Sequence, residues 1–147
     1  MAQAVPQTYA NHARFVPGYH MVTTAFILAN LVWSVVQLFR QHVSVASVFG
    51  VVVAVVLVQL FLYTRQFAVG NQDRIIRLEM RLRLEKLLPA DLKGRIGEFT
   101  PGQLVSLRFA GDAELPALAR KVLDEKIADR QQIKLLITDW QGDYLRV

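Results

Sequence analysis

The sequence predicts an all-α protein: a transmembrane helical hairpin, then an amphipathic basic helix, then a small cytoplasmic helical module. Three observations lead there. Between Arg14 and Arg40 lie 25 uncharged residues, and between Arg40 and Arg65 another 24, each run long enough to cross ~30 Å of hydrocarbon at ~1.5 Å per helical residue. From Asp73 to Leu88 leucine, arginine and glutamate, all good helix formers, interleave. Beyond Thr100, cap-forming residues separate short apolar periodicities. The expected organisation is a cytoplasmic tail over 1–18, the hairpin over 19–64, a basic juxtamembrane helix and linker over 65–96, and a three-helix module over 97–147.

Composition bounds the function. With 147 residues, 53% of them hydrophobic, the chain has room for one small unit beyond the hairpin. Cysteine is absent, which removes disulfides, thiolate metal sites and cysteine nucleophiles. The net charge of +5 is uneven: +3 over residues 1–72, +3 over 73–96 and −1 over 97–147. The basic excess therefore sits on and beside the apolar runs.

The N-terminal tail is broken by Pro6, Pro17 and Gly18. Tyr9, Phe15 and Tyr19 suit a membrane boundary, where amphipathic rings settle at headgroup level. His12 and His20 also fall here. His42 stands some 33 Å from His20 at the helical rise, so those two do not share a metal, and no metal or cofactor is assigned.

The first span, Tyr19 to Phe39, is too long for a cleavable signal core of ~7–15 residues and is expected to stay in the mature protein. Within it Thr23, Asn30, Ser34 and Gln37 share a helical face. Amides in lipid need hydrogen-bond partners, so Asn30, Ser34 and Gln37 are candidate helix-packing residues. The second span, Ser44 to Tyr63, carries Ala46, Gly50 and Ala54 at four-residue spacing, the small-residue pattern that lets helices approach closely in lipid. This ridge has two possible partners: the polar stripe of its own hairpin, or a second copy of the chain. Neither span holds an Asp, Glu, Lys or Arg, which argues against a proton or solute path.

Arg40 stands alone between the spans, whereas Arg14 precedes them and Arg65, Arg74, Arg77, Arg81 and Arg83 follow. The positive-inside rule puts both termini in the cytoplasm. In the basic segment two periodicities compete. Residues 77–85 alternate as a strand would, but composition and the Glu79–Arg83 and Arg81–Glu85 pairs favour a helix. Wound as a helix it has two apolar stripes, Ile75, Leu78, Leu82 and Ile76, Met80, Leu84, Leu87. One stripe is expected to be clasped by the C-terminal module. Arg74, Arg77, Arg81 and Arg83 are candidates for docking anionic headgroups or a partner, at about 1 kcal/mol per basic residue near a membrane surface. Gly70-Asn71 is a candidate break between the second span and this helix.

In the module, Thr100-Pro101-Gly102-Gln103 is a capping box with proline at the first helical position. Asp112 is expected to open a second helix through Leu115, Leu118 and Val122. Asp129 with Gln132 opens a third through Ile133, Leu136, Ile137 and Trp140. From residue 43 onward there is no histidine, so histidine acid–base work and the usual zinc sites are lacking there. No phosphate-binding glycine loop appears. The module's −1 charge argues against duplex DNA binding. No catalytic residue is assigned, and no nucleic acid is expected as a partner.

The stretches QTYANHARFVPGYH, DRIIRLEMRLRLEKLLP, LRFAGDAELP, RKVLDEKIADRQQIK and DYLRV resemble a family of small bacterial two-span membrane proteins of unknown function, marked by its NHARF motif. The resemblance covers nearly the whole chain. It implies a protein of the bacterial inner membrane with a cytoplasmic helical tail, and it supplies no activity, cofactor or catalytic residue. The expected function is a non-enzymatic scaffold or accessory subunit of a larger membrane assembly. Its expected partners are anionic lipids and other membrane chains or further copies of itself. Two alternatives remain: a membrane-tethered regulator whose module binds a soluble partner or nucleic acid, and a small transporter component or cofactor-binding membrane protein.

Overall fold

A computed structural model describes residues 6–40 and 43–144; His42 and the last residues of the DYLRV stretch lie outside the described residues. The fold is all-α. A π-helical turn, Gly18–Thr23, leads into α1, Thr24–Arg40; α2 runs Val45–Leu87. Then come α3, Ala90–Lys93, a 3-10 turn, Ile96–Glu98, and α4, Pro101–Leu107, α5, Leu115–Asp124, and α6, Arg130–Leu135. Two stretches, Gly18–Arg40 and Val45–Leu87, are long and apolar enough to cross a membrane.

The start of α2 is set by paired serines. Ser44 Oγ accepts from Ser47 N at 3.1 Å while Ser47 Oγ accepts from Ser44 N at 2.9 Å, the reciprocal logic of a capping box. From there α2 is continuous for 43 residues. The competition over residues 77–85 resolves as helix, and Gly70-Asn71 does not interrupt it. A single internal glycine costs only about 1 kcal/mol, less than the packing on its C-terminal side contributes. Pro89 ends the helix, as an X-Pro step should.

The chain divides into two compact units. This differs from the four consecutive segments read along the sequence. Residues 14–69 form one unit, while the N-terminal segment up to Ala13 belongs with residues from Gly70 onward in the other. The second unit has a continuous core: Ile76, Met80, Leu84 and Leu88 of α2 join Leu104 and Leu107 of α4, Leu115, Ala119 and Val122 of α5, and Ile133 of α6. One apolar stripe of the basic helix is thus the floor of the module.

Local chemistry explains the module's helix ends. Thr100 and Gln103 form the complete capping box before α4. Gln103 Nε2 also donates to Ile127 O at 2.9 Å, which satisfies an amide only 6% exposed. At the end of α5, Ile127 N donates to Val122 O and Lys126 N to Leu123 O, with Lys126 at φ 50°. This is a Schellman closure with lysine where glycine is usual. Asp129 caps α6 through Gln131 N. Asp112 does not cap α5, which starts at Leu115, because its carboxylate is engaged by Arg83. The third helix stops at Leu135, and Trp140 instead sits in an antiparallel bridge with Ala110.

Candidate functional site

Within residues 14–69, α1 and α2 run antiparallel. Tyr19 stacks on Phe61 with centroids 4.4 Å apart, and its hydroxyl donates to Phe61 O at 2.8 Å. Half-buried or buried positions recur at helical spacing, Thr24, Ile27, Leu31, Ser34 and Leu38 on α1 and Ser47, Gly50, Ala54, Val58 and Phe61 on α2, with Val36, Gln37 and Val51 beside them also half-buried. These faces form the seam of the hairpin. Of the candidate packing residues, Ala54 is fully buried, and Ser34, Gln37 and Gly50 are half-buried. Ala46 and Asn30 are exposed. A Cβ at Gly50 would meet nothing within 4 Å, so no backbone approaches closely there. Among the described residues the small-residue ridge is therefore not a tight backbone contact at Gly50.

In the other unit, the four arginines proposed for docking separate into two kinds. Arg74 and Arg81 are exposed and Arg77 is half-buried. Arg83 turns inward. Its Nε donates to Asp112 Oδ1 at 2.8 Å, Nη1 to Arg108 O at 3.2 Å, and Nη2 to Ala110 O at 2.6 Å and to Gln141 Oε1 at 2.9 Å. The guanidinium fork thus satisfies carbonyls left unpaired where α4 ends and ties the segment around Trp140 to α2. Arg83 therefore leaves the docking row. Beside it, a cavity of about 200 Å³ is lined by Ile76, Met80, Arg83, Arg108, Gln141 and Asp143, among others. The second apolar stripe of α2 stays open: Ile75, Leu78 and Leu82 are 58%, 61% and 63% exposed. At ~100° per residue this stripe lies opposite the buried face.

The N-terminal segment is a strap on this unit. Gln7 pairs reciprocally with the backbone of Asp143, Nε2 to O at 3.1 Å and N to Oε1 at 2.9 Å. The His12 ring lies against Phe109 and Trp140, whose own rings stack at 4.5 Å. His12 Nδ1 is 2.6 Å from Tyr9 O and Nε2 is 2.9 Å from Lys134 Nζ. A carbonyl only accepts and an ammonium only donates, so the ring carries its proton on Nδ1. Sequence reasoning left this strap as a tail. The available signal was local: Asn11 Oδ1 accepts from Thr8 N and Oγ1, a turn of the kind Thr and Asn favour.

Glu114 fastens the segment that follows α6. It accepts from Thr138 N, Thr138 Oγ1 and Asp139 N. Burial pushes this carboxyl up, but the Thr138 hydroxyl and the surrounding backbone N–H groups outweigh it and hold the group below its ordinary value. Gly111 leaves room beside it for the Asp139 carboxylate, which a Cβ there would displace. Among the described residues, no group of three or more His, Asp or Glu is placed to hold a metal ion.

The model of a family of unknown function, DUF6526, matches residues 1–147. The chain belongs to that family. No curated protein and no solved structure matches it. DUF6526 membership extends over both units, so the strap, the hairpin and the module fall within a single family model.

Proposed function

We propose that this DUF6526 protein is a non-enzymatic membrane scaffold or accessory subunit of the bacterial inner membrane, with both termini cytoplasmic. The observation that carries the reading is the two-sided α2. One stripe is committed to the chain's own core, while Ile75, Leu78 and Leu82, flanked by Arg74 and Arg81, are left open. A monomer gains nothing from three large aliphatic side chains in water, whereas a docking surface requires them. The same helix is continuous with a span apolar enough for a membrane. Folding of the N-terminal segment together with the residues after Gly70 supports a hairpin whose two ends share one side, and the arginine distribution supports the cytoplasmic side.

Arg74, Arg77 and Arg81 would meet acidic partner side chains or headgroups at the edge of the contact. The test is the native mass of the full chain extracted gently from its own membrane, compared with the triple reversal R74E/R77E/R81E. The reading expects a mass far above 16.6 kDa with other chains present, and loss of those chains in the variant. Unchanged co-purification in the variant would remove the basic helix as the docking element.

A further inference from the structure

The outer face of α1 points to a specific occupant. Thr23, Phe26, Asn30, Trp33 and Gln37 recur at spacings of three and four residues, the a/d pattern of a helix–helix seam. This is a second seam on α1, one residue out of step with Thr24, Ile27, Leu31, Ser34 and Leu38, which face α2, and so turned from it by ~100°. Among the described residues its centre stays uncovered, although Gln37 at its end is half-buried. Phe26 and Trp33 are 73% and 63% exposed, and Asn30, also exposed, makes no side-chain hydrogen bond among the described residues. Asn30 stands near the middle of the Gly18–Arg40 stretch, where a membrane offers a carboxamide no water.

We propose that this seam binds a second copy of the same chain, α1 against α1, with Asn30 pairing with the same residue of the other copy. The choice of occupant follows from the chemistry of the face. A carboxamide is both donor and acceptor, so two of them close a reciprocal pair without any other group. A two-fold axis sets each residue opposite its own kind. Copies inserted in the same direction lie parallel, which keeps Thr23, Asn30 and Gln37 each level with its counterpart. Phe26 and Trp33 fill the layers between, and a polar residue such as Asn30 at an a position fixes register. The proposal rests on the membrane reading above, in which α1 is surrounded by lipid.

Because the chain has no cysteine, single-cysteine oxidation reports on this contact directly. Full-length F26C and W33C on the seam are compared, in their own membrane, with L28C and V35C on the opposite exposed face. Disulfide dimers at twice 16.6 kDa are expected from the seam positions. Adding Asn30→Leu to F26C should lower the dimer yield by about tenfold, the loss expected for a reciprocal hydrogen-bonded pair in a membrane, while Asn30→Gln should retain it. Equal yields at all four positions, indifference to Asn30→Leu, or adducts only with a different chain would overturn the proposal. An alkaline wash separates the two levels of inference. Protein that stays in the pellet without seam cross-links sinks the dimer alone; protein released into the wash sinks the membrane reading and the dimer with it.

Discussion

The two units of the chain treat polar groups in opposite ways. In residues 70–144 most buried polar side chains find partners: Gln103 and Ser106 lie in the core and each donates to a backbone carbonyl, and Arg83 serves four acceptors, whereas the buried Trp140 Nε1 meets no acceptor among the described residues. Among the described residues of 14–69 Ala54 alone is fully buried, large apolar side chains such as Phe26, Trp33 and Phe39 are exposed, and Asn30 makes no side-chain hydrogen bond. The first unit is built as proteins are built in water, with an internal core. The second exposes large apolar side chains along helices long and apolar enough to cross a membrane, and in our proposal lipid and another helix supply the missing contacts.

The contrast predicts that the units fail separately. Trp33 and Trp140 are the chain's two tryptophans, one in each unit, so a W33F background lets Trp140 fluorescence follow the C-terminal unit alone. The largest effect should come from Leu84→Ala, which empties a fully buried position and should cost that unit about 2–5 kcal/mol while leaving membrane retention unchanged. A common loss of both would break the comparison. Arg83→Ala should follow, at about 1–3 kcal/mol, because it strands the Arg108 and Ala110 carbonyls at the end of α4. The Trp140 signal should respond first, since Gln141 is tied to the same guanidinium.

A pH series sharpens the same comparison. Glu114 is held below its ordinary value, so the stability it contributes is present above the unfolded carboxylate range and is lost as pH falls through its lower folded value. The C-terminal unit should weaken on acidification below about pH 4.5, and Glu114→Gln should flatten that dependence in denaturation followed by Trp140. The smallest effect, and the one of opposite sign, belongs to Lys126→Gly. Relieving the left-handed backbone at φ 50° should stabilise the unit by about 1 kcal/mol, measured as a rise in its unfolding midpoint.

Much of the architecture was legible in the sequence because it rests on local signals. The uncharged runs gave the two apolar helices, the Thr100 box and the Asp129 cap gave two helix starts, and the paired stripes of residues 75–88 anticipated that the module would clasp one of them, though not which. The rest required long-range geometry. Asp112 looks like a cap until Arg83 is seen to hold it, and Arg83 looks like its neighbours Arg77 and Arg81 until the end of α4 arrives beside it. His12 meets Phe109 and Trp140 across more than ninety residues, a contact no periodicity encodes. The polar stripe of α1 was visible, but whether it faced inward or outward depended on a rotation of one residue.

The most direct test of the account is the sidedness of three positions. Ala10→Cys, Val43→Cys and Gln132→Cys, each at an exposed site, are treated in intact cells with a thiol reagent that cannot cross the inner membrane. The account predicts that Val43→Cys is labelled from outside, and that Ala10→Cys and Gln132→Cys react only once the membrane is opened. Labelling of all three from the same side would show that the apolar helices do not form a membrane-crossing hairpin.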